Sequence, residues 1–226
     1  MTRVETFEHA QVLPPFAFQM PTRMSAIACE AGVALISPVP IDDALAARLA
    51  ALGEVRWLIA PNLLHSMYLE AAARRYPNAR VLTPRKLTRV RSDGALEDGL
   101  PRELPLTMIP IAGAPKVDEF TFFEPATRTL VVTDLVFHMV RPRGWFANLA
   151  MHVVGCHGCL AMSRAWRMFA RDRAQVSASL QRVLALPIET LVMAHGEVVH
   201  EGAHARLQHA ARWLLPVRPS LPASSR

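Results

Sequence analysis

Three residues able to bind a metal stand where an apolar run of the chain gives way to a turn: His65, Asp134 and His195. His65 follows the run 55–60 and the Pro61-Asn62 break; Asp134 closes Leu130-Val131-Val132-Thr133-Asp134; His195 closes Thr190-Leu191-Val192-Met193-Ala194-His195. Ends of buried strands are where a scaffold presents reactive side chains. Two imidazoles and a carboxylate form a three-donor set suited to zinc or iron, with a position left open for water. Such a metal makes hydroxide available near neutral pH. Each residue also has a plain structural role open to it. His65 can fill or cap a turn, Asp134 can cap a helix, and His195-Gly196 can be a turn with a satisfied imidazole.

Positioning such residues takes a layered scaffold. Residues 24–29 and 33–37 are short apolar runs separated by Glu30-Ala31-Gly32, which reads as a hairpin. Asp42 or Asp43 caps a helix through residue 52, and Gly53 takes the position after it where positive φ costs little. A buried strand spans 55–60, a helix 64–75 and a third strand 80–83. A basic turn at 84–90 and a polar surface loop at 91–105 follow. Three strands are expected over 106–111, 119–124 and 129–133. Helical patterns dominate to residue 186, and Asp172 with Gln175 forms a capping box within them. A last strand covers 190–194 and an amphipathic helix 202–215. Residues 1–22, with Pro14, Pro15 and Pro21, read as an irregular arm; 23–215 as a single domain; 216–226 as a flexible tail. Alternating helices and strands with a central strand block predict an α/β (α+β) class, with two sheets covered by helices on their outer faces.

The runs Pro61-Asn62-Leu63-Leu64-His65, Tyr76-Pro77-Asn78-Ala79, Leu130 through Phe137 and Ala194-His195-Gly196 resemble a divergent branch of the metallo-β-lactamase superfamily. With Arg23-Met24 and Ser37-Pro38-Val39, they are most similar to the DUF4336 domain family, over roughly residues 20–212. The resemblance implies a four-layer αββα sandwich. It places His65 on the last His of the superfamily motif HxHxDH. Ala60, Asn62 and Leu64 then replace its first His, second His and Asp. Gly113-Ala114-Pro115 replaces a Gly-His-Thr turn, Asp134 matches the metal-bridging carboxylate and His195 the terminal His. One of the two usual metal sites thus loses three of its four ligands. The other keeps His65, Asp134 and His195, so a single Zn or Fe ion is implied. Asn62 is left to support the ligands from behind. The missing Asp at Leu64 is the usual orienter of the attacking water. The implied functions are a metal-dependent hydrolase with a degenerate, mononuclear site or a non-catalytic binding protein on the same fold.

Further candidates lie outside these motifs. His138, four residues after Asp134, would face the same site if that segment were helical, although core or surface placement explains it as well. His152, Cys156, His157 and Cys159 offer soft donors suited to zinc, although a helix end explains them as well. Glu119 and Glu124 on one strand are expected to share a side-chain parity, although ion pairing explains them as well as catalysis.

Composition limits the function classes. In 226 residues, 51% hydrophobic, there is ample material for a core, which excludes wholesale disorder. Three cysteines exclude a disulfide scaffold and suit a reducing cytoplasm. Arg3, Glu5, Glu8 and His9 break up any apolar signal segment. The uncharged stretch 145–162 holds Asn148, His152, His157 and two glycines, and reads as buried or interfacial. The net charge is +6, and all of that excess resides in residues 141–186, which contain seven arginines and one acid, Asp172. Arg141 and Arg143 are therefore expected to meet an anionic substrate or, with 145–162, an anionic membrane surface. No zinc-finger spacing or interleaving of aromatic and basic residues points to nucleic acid.

Overall fold

A computed structural model describes residues 2–13, 18–140, 142 and 144–215. Its elements in chain order are β1 (Arg3–Leu13), β2 (Phe18–Cys29), β3 (Gly32–Ile36), α1 (Asp43–Leu52), β4 (Val55–Ile59), α2 (Leu69–Arg75), β5 (Arg80–Thr83) and β6 (Gly94–Ala95). A 3-10 turn, Leu96–Asp98, leads to β7 (Thr107–Pro110), β8 (Phe120–Glu124) and β9 (Thr129–Val131). Then come β10 (Phe137–His138), α3 (Trp145–Val154), β11 (Leu160–Ala161), α4 (Arg164–Phe169), α5 (Arg173–Leu184), β12 (Thr190–Val192) and α6 (Ala203–Ala211).

Two sheets form the centre. One runs β1-β2-β3-β4-β5-β6, the other β12-β9-β8-β7, and β10 with β11 makes a separate pair. Side-chain alternation explains the layering. In β4, Trp57 and Ile59 face inward to meet Phe120, Phe122, Val131 and Val192 of the second sheet. Leu58 points outward to the α1–α2 layer, and Leu130 to the layer of α4, α5 and α6. Strands covered on both faces must be apolar on both, which is why β4 and β9 read as continuous runs. The result is the αββα sandwich expected from the sequence.

Local chemistry sets the element ends. Asp42 caps α1 by accepting from the Leu45 N–H at 2.8 Å, and Asp172 caps α5 by accepting from Gln175 N–H at 3.0 Å.

Four expectations are corrected. Residues 3–13 are not irregular: β1 pairs with β2 from Arg3↔Ala28 to Leu13↔Phe18. Since β3 joins β2 only from Ser25 onward, Pro21 sits on a two-stranded ribbon where a missing N–H is tolerated. The helix expected from residue 64 begins at Leu69, because the Asn62 side chain holds residues 62–65 in a turn. The expected loop 91–105 contains β6 and the 3-10 turn, with Leu96 and Leu104 buried. Residues 137–138 are extended, not helical, and pair with β11. The tail 216–226 and Arg141 and Arg143 lie outside the described residues.

Candidate metal centre

β9 and β12 pair in parallel, with Leu130 opposite Leu191 and Val131 opposite Val192. Asp134 and His195 each come three residues later, so the ladder delivers both side chains to one place. In the other sheet, β3 and β4 end together, Ile36 opposite Ile59. Ser37 follows the first strand, and the Asn62 turn carrying His65 follows the second. The centre therefore lies where the two sheets share an edge.

His65, Asp134 and His195 converge there: one donor atom from each lies within 4.8 Å of the others. His65 Nε2 is 3.3 Å from Asp134 Oδ2, and His195 Nε2 is 3.4 Å from Asp134 Oδ1. The outer nitrogens are tied down. His195 Nδ1 donates to the Pro21 carbonyl at 2.8 Å, which fixes the proton on Nδ1 and leaves the Nε2 lone pair for the site. His65 Nδ1 shares a 2.8 Å hydrogen bond with Ser37 Oγ. Ser37 has φ +56°, a left-handed conformation that non-glycine residues adopt chiefly where surrounding structure holds them. Phe137 stacks on His195, with ring centroids 5.0 Å apart and planes 11° apart.

Asn62 supports two ligands at once. Its Nδ2 donates to Asp134 Oδ2 at 2.8 Å and Thr133 Oγ1 at 3.0 Å. Its Oδ1 accepts from the N–H groups of Leu64 and His65 at 2.9 and 2.8 Å. Behind Asp134, Glu119 accepts from the N–H groups of Thr133 at 2.7 Å and Asp134 at 3.2 Å.

Charge follows geometry. Burial alone would push the Asp134 carboxyl up, but the His65 and His195 imidazoles beside it outweigh that. The carboxyl is held well below the usual range. Glu119, fully buried and beside the Asp134 charge, is pushed up to about 7. Donor chemistry and support on both imidazoles fit one zinc or iron ion. The centre opens on a cavity of about 180 Å³ with an apolar wall that includes Met20, Pro38, Leu64 and Met67, and with Gln11 and Thr22 as polar contacts.

Positions aligned with other superfamily ligands carry non-donor side chains. Ala60 and Ala114 are buried apolar side chains, and Leu64 is 51% exposed. His138 belongs elsewhere: its Nδ1 donates to the Glu197 carbonyl at 2.8 Å, Arg206 Nη2 donates to its Nε2 at 2.7 Å, and it lines a neighbouring cavity. The His152/Cys156/His157/Cys159 cluster does not converge. His152 and His157 stack at 3.8 Å and both bond Asn148, Cys156 is buried and Cys159 exposed. Among the described residues, no arginine of the 141–186 segment lines the cavity. Arg164 donates to the Val153 carbonyl, and Arg167 and Arg173 lie over Trp213. Glu119 and Glu124 are five apart, so they do not share a parity, and they bond backbone N–H groups, not cations.

Sequence reasoning missed Ser37, the Pro21 carbonyl and the role of Arg23. Buried Arg23 donates to the carbonyls of Met193 and Gly196 and pairs with Glu8, which ties β2 to the His195 turn. A backbone carbonyl leaves no side-chain signal. Gly196 has a clear reason: at φ +102°, a Cβ there would sit 2.1 Å from the His138 carbonyl.

No protein-family model matches the chain, and no curated protein sequence matches it either. Solved structures do. A metallo-β-lactamase from Hirschia baltica is similar with a TM-score of 0.61 at 14% identity, over 95% of each chain. The metallo-β-lactamase FIM-1 from Pseudomonas aeruginosa, in its mono-zinc form, gives 0.58 at 14% identity over 95% of this chain and 93% of that one. The flavodiiron protein from Giardia intestinalis gives 0.64 at 13% identity over 93% of this chain and 57% of that one. With its two facing sheets and outer helices, the chain has the metallo-β-lactamase fold.

Proposed function

We propose that this chain is a DUF4336-type protein that holds one metal ion, zinc or iron, through His65, Asp134 and His195, and works as a metal-dependent hydrolase of a small, largely apolar substrate. The observation that carries the reading is the convergence of three donors whose imidazoles are each tied from behind, to Pro21 and Ser37. Held by His65, Asp134 and His195, such an ion would supply Lewis acidity toward a carbonyl or phosphoryl oxygen and hydroxide at neutral pH.

The chain's own groups do the rest. Asn62 holds the Asp134 carboxylate, Glu119 holds the Asp134 backbone N–H, and the paired strand ends fix the distance to His195. The wall of Met20, Pro38, Leu64 and Met67 takes the apolar part of a substrate, and Gln11 and Thr22 offer polar contacts. Asp134 is the only carboxylate among the described residues lining the cavity. The described lining has no arginine or lysine, which favours a neutral ester, thioester or lactam over an anionic substrate. The three free thiols support a reducing compartment such as the cytoplasm.

Metal analysis of protein purified without chelator tests the reading. We expect near one ion per chain, reduced below about 0.2 by His195→Ala. Turnover of a neutral ester should rise with added metal and vanish in His65→Ala. A chain that stays metal-free in both forms defeats the proposal.

A second reading, a binding protein without turnover, rests on Leu64, exposed where the superfamily carries its water-orienting Asp. It expects bound metal but no turnover of esters, thioesters, lactams or phosphodiesters at any metal level.

A further inference from the structure

Helix α3 turns an apolar stripe to solvent. Trp145, Leu149 and Val153 are 74%, 52% and 59% exposed, at helical spacing i, i+4 and i+8. On the opposite side Ala147 and Met151 are buried, Met151 against Met139 and Cys156. The stripe is flanked by positive charge. Arg141 and Arg143 precede Trp145 in the sequence. At the other end, the exposed Arg164 reaches back to the Val153 carbonyl at 3.0 Å. One turn later on α4, Met168 is 82% exposed. From residue 135 to 171 the chain carries five arginines and no Asp or Glu.

We infer that α3 docks on an anionic membrane surface, lying in the interface with Trp145, Leu149 and Val153 turned toward the acyl boundary. Three side chains on a helix about 15 Å long fall far short of the roughly 800 Å² per partner of a stable protein interface. A bilayer needs no such area. It accepts a short apolar stripe and adds attraction at each arginine, roughly five-fold in affinity apiece at low salt. Trp145 at the helix start suits the headgroup boundary, where indole rings concentrate. No helix among the described residues is long and apolar enough to cross a membrane, so contact would be along the surface.

Co-sedimentation of the full chain with vesicles tests this, using phosphatidylcholine alone and phosphatidylcholine mixed with phosphatidylserine. Expected are binding to the mixed vesicles only, release by high salt, and a loss of roughly ten-fold or more in Leu149→Ser/Val153→Ser. Arg141→Gln/Arg143→Gln should weaken binding as well. Both pairs should keep the native circular dichroism spectrum, and a blue shift of indole fluorescence on vesicles should disappear in Trp145→Phe. Three results would overturn the inference. One is no binding at low salt; another is equal binding to neutral vesicles. The third is a native dimer that Leu149→Ser/Val153→Ser converts to monomer, since a second copy would then cover the stripe.

Discussion

Asp134 and His195 stand the same three residues beyond Val131 and Val192, which face each other across the parallel β9–β12 ladder. Two candidate ligands 61 residues apart are thus spaced by strand register, not by loops. Anything that disturbs the turn after β12 should act on the metal centre before it acts on the core.

Gly196→Ala tests that turn. The new Cβ would meet the His138 carbonyl at 2.1 Å in a backbone region costly to other residues. We expect a loss of about 1–3 kcal/mol in stability and a disproportionate fall in metal content. Thermal unfolding and metal analysis on the same preparation separate the two effects.

Asn62→Ala and Ser37→Ala remove supports without touching a donor atom. Each should weaken metal affinity by about 10–100-fold, the usual effect of outer partners of metal ligands. Asn62→Ala should also lower stability, because the N–H groups of Leu64 and His65 lose their acceptor. Competition with a fluorescent chelator would read the affinities. Equal affinity in native and variant chains would show that the ligands hold themselves.

Glu119 gives a pH signature in the metal-free chain. Its folded value, about 7, lies above the ordinary 4.5, so the native state holds a proton that the unfolded state releases between those values. Stability from this group should be full below pH 4.5, fall between about 4.5 and 7 by at most about 1.4 kcal/mol per pH unit, and then level off. Urea unfolding in chelator across that window should show the fall, and Glu119→Gln should flatten it.

The thiols should react in a fixed order. Burial, then the neighbouring Cys159, pushes the Cys156 thiol up to about 12, while Cys159 is exposed. An alkylating reagent at pH 8 should label Cys159 first, half-buried Cys29 next, and Cys156 only on unfolding. Intact-mass spectrometry over time resolves the order.

Much of the sandwich was legible because its strands are apolar runs bounded by turn residues, as at Val55–Ile59 and Thr190–Val192. Asp134 and His195 were legible because each closes such a run, and His65 because it follows one after the Pro61-Asn62 break. The N-terminal hairpin was hidden by its prolines, whose cost depends on whether a third strand is present, which no local pattern tells. The start of α2 was misplaced because the Asn62 side chain competes with the helix for the Leu64 and His65 N–H groups. His138 was misassigned by taking an extended segment for a helical turn. Ser37 and Pro21 act through tertiary neighbours 28 and 174 residues away, beyond the reach of any spacing rule.

The His195 to Pro21 hydrogen bond, spanning 174 residues, also orders events in time. A ribosome adds about 5–20 residues per second, so β1 and β2 are made many seconds before the imidazole they orient. Until His195 emerges, His65 and Asp134 lack their third partner, although most of the cavity wall, drawn from residues 11–68, is already made. The three donors can therefore meet only late in synthesis, with α6 alone of the named elements made after them, and any ion they hold would load onto nearly completed chains.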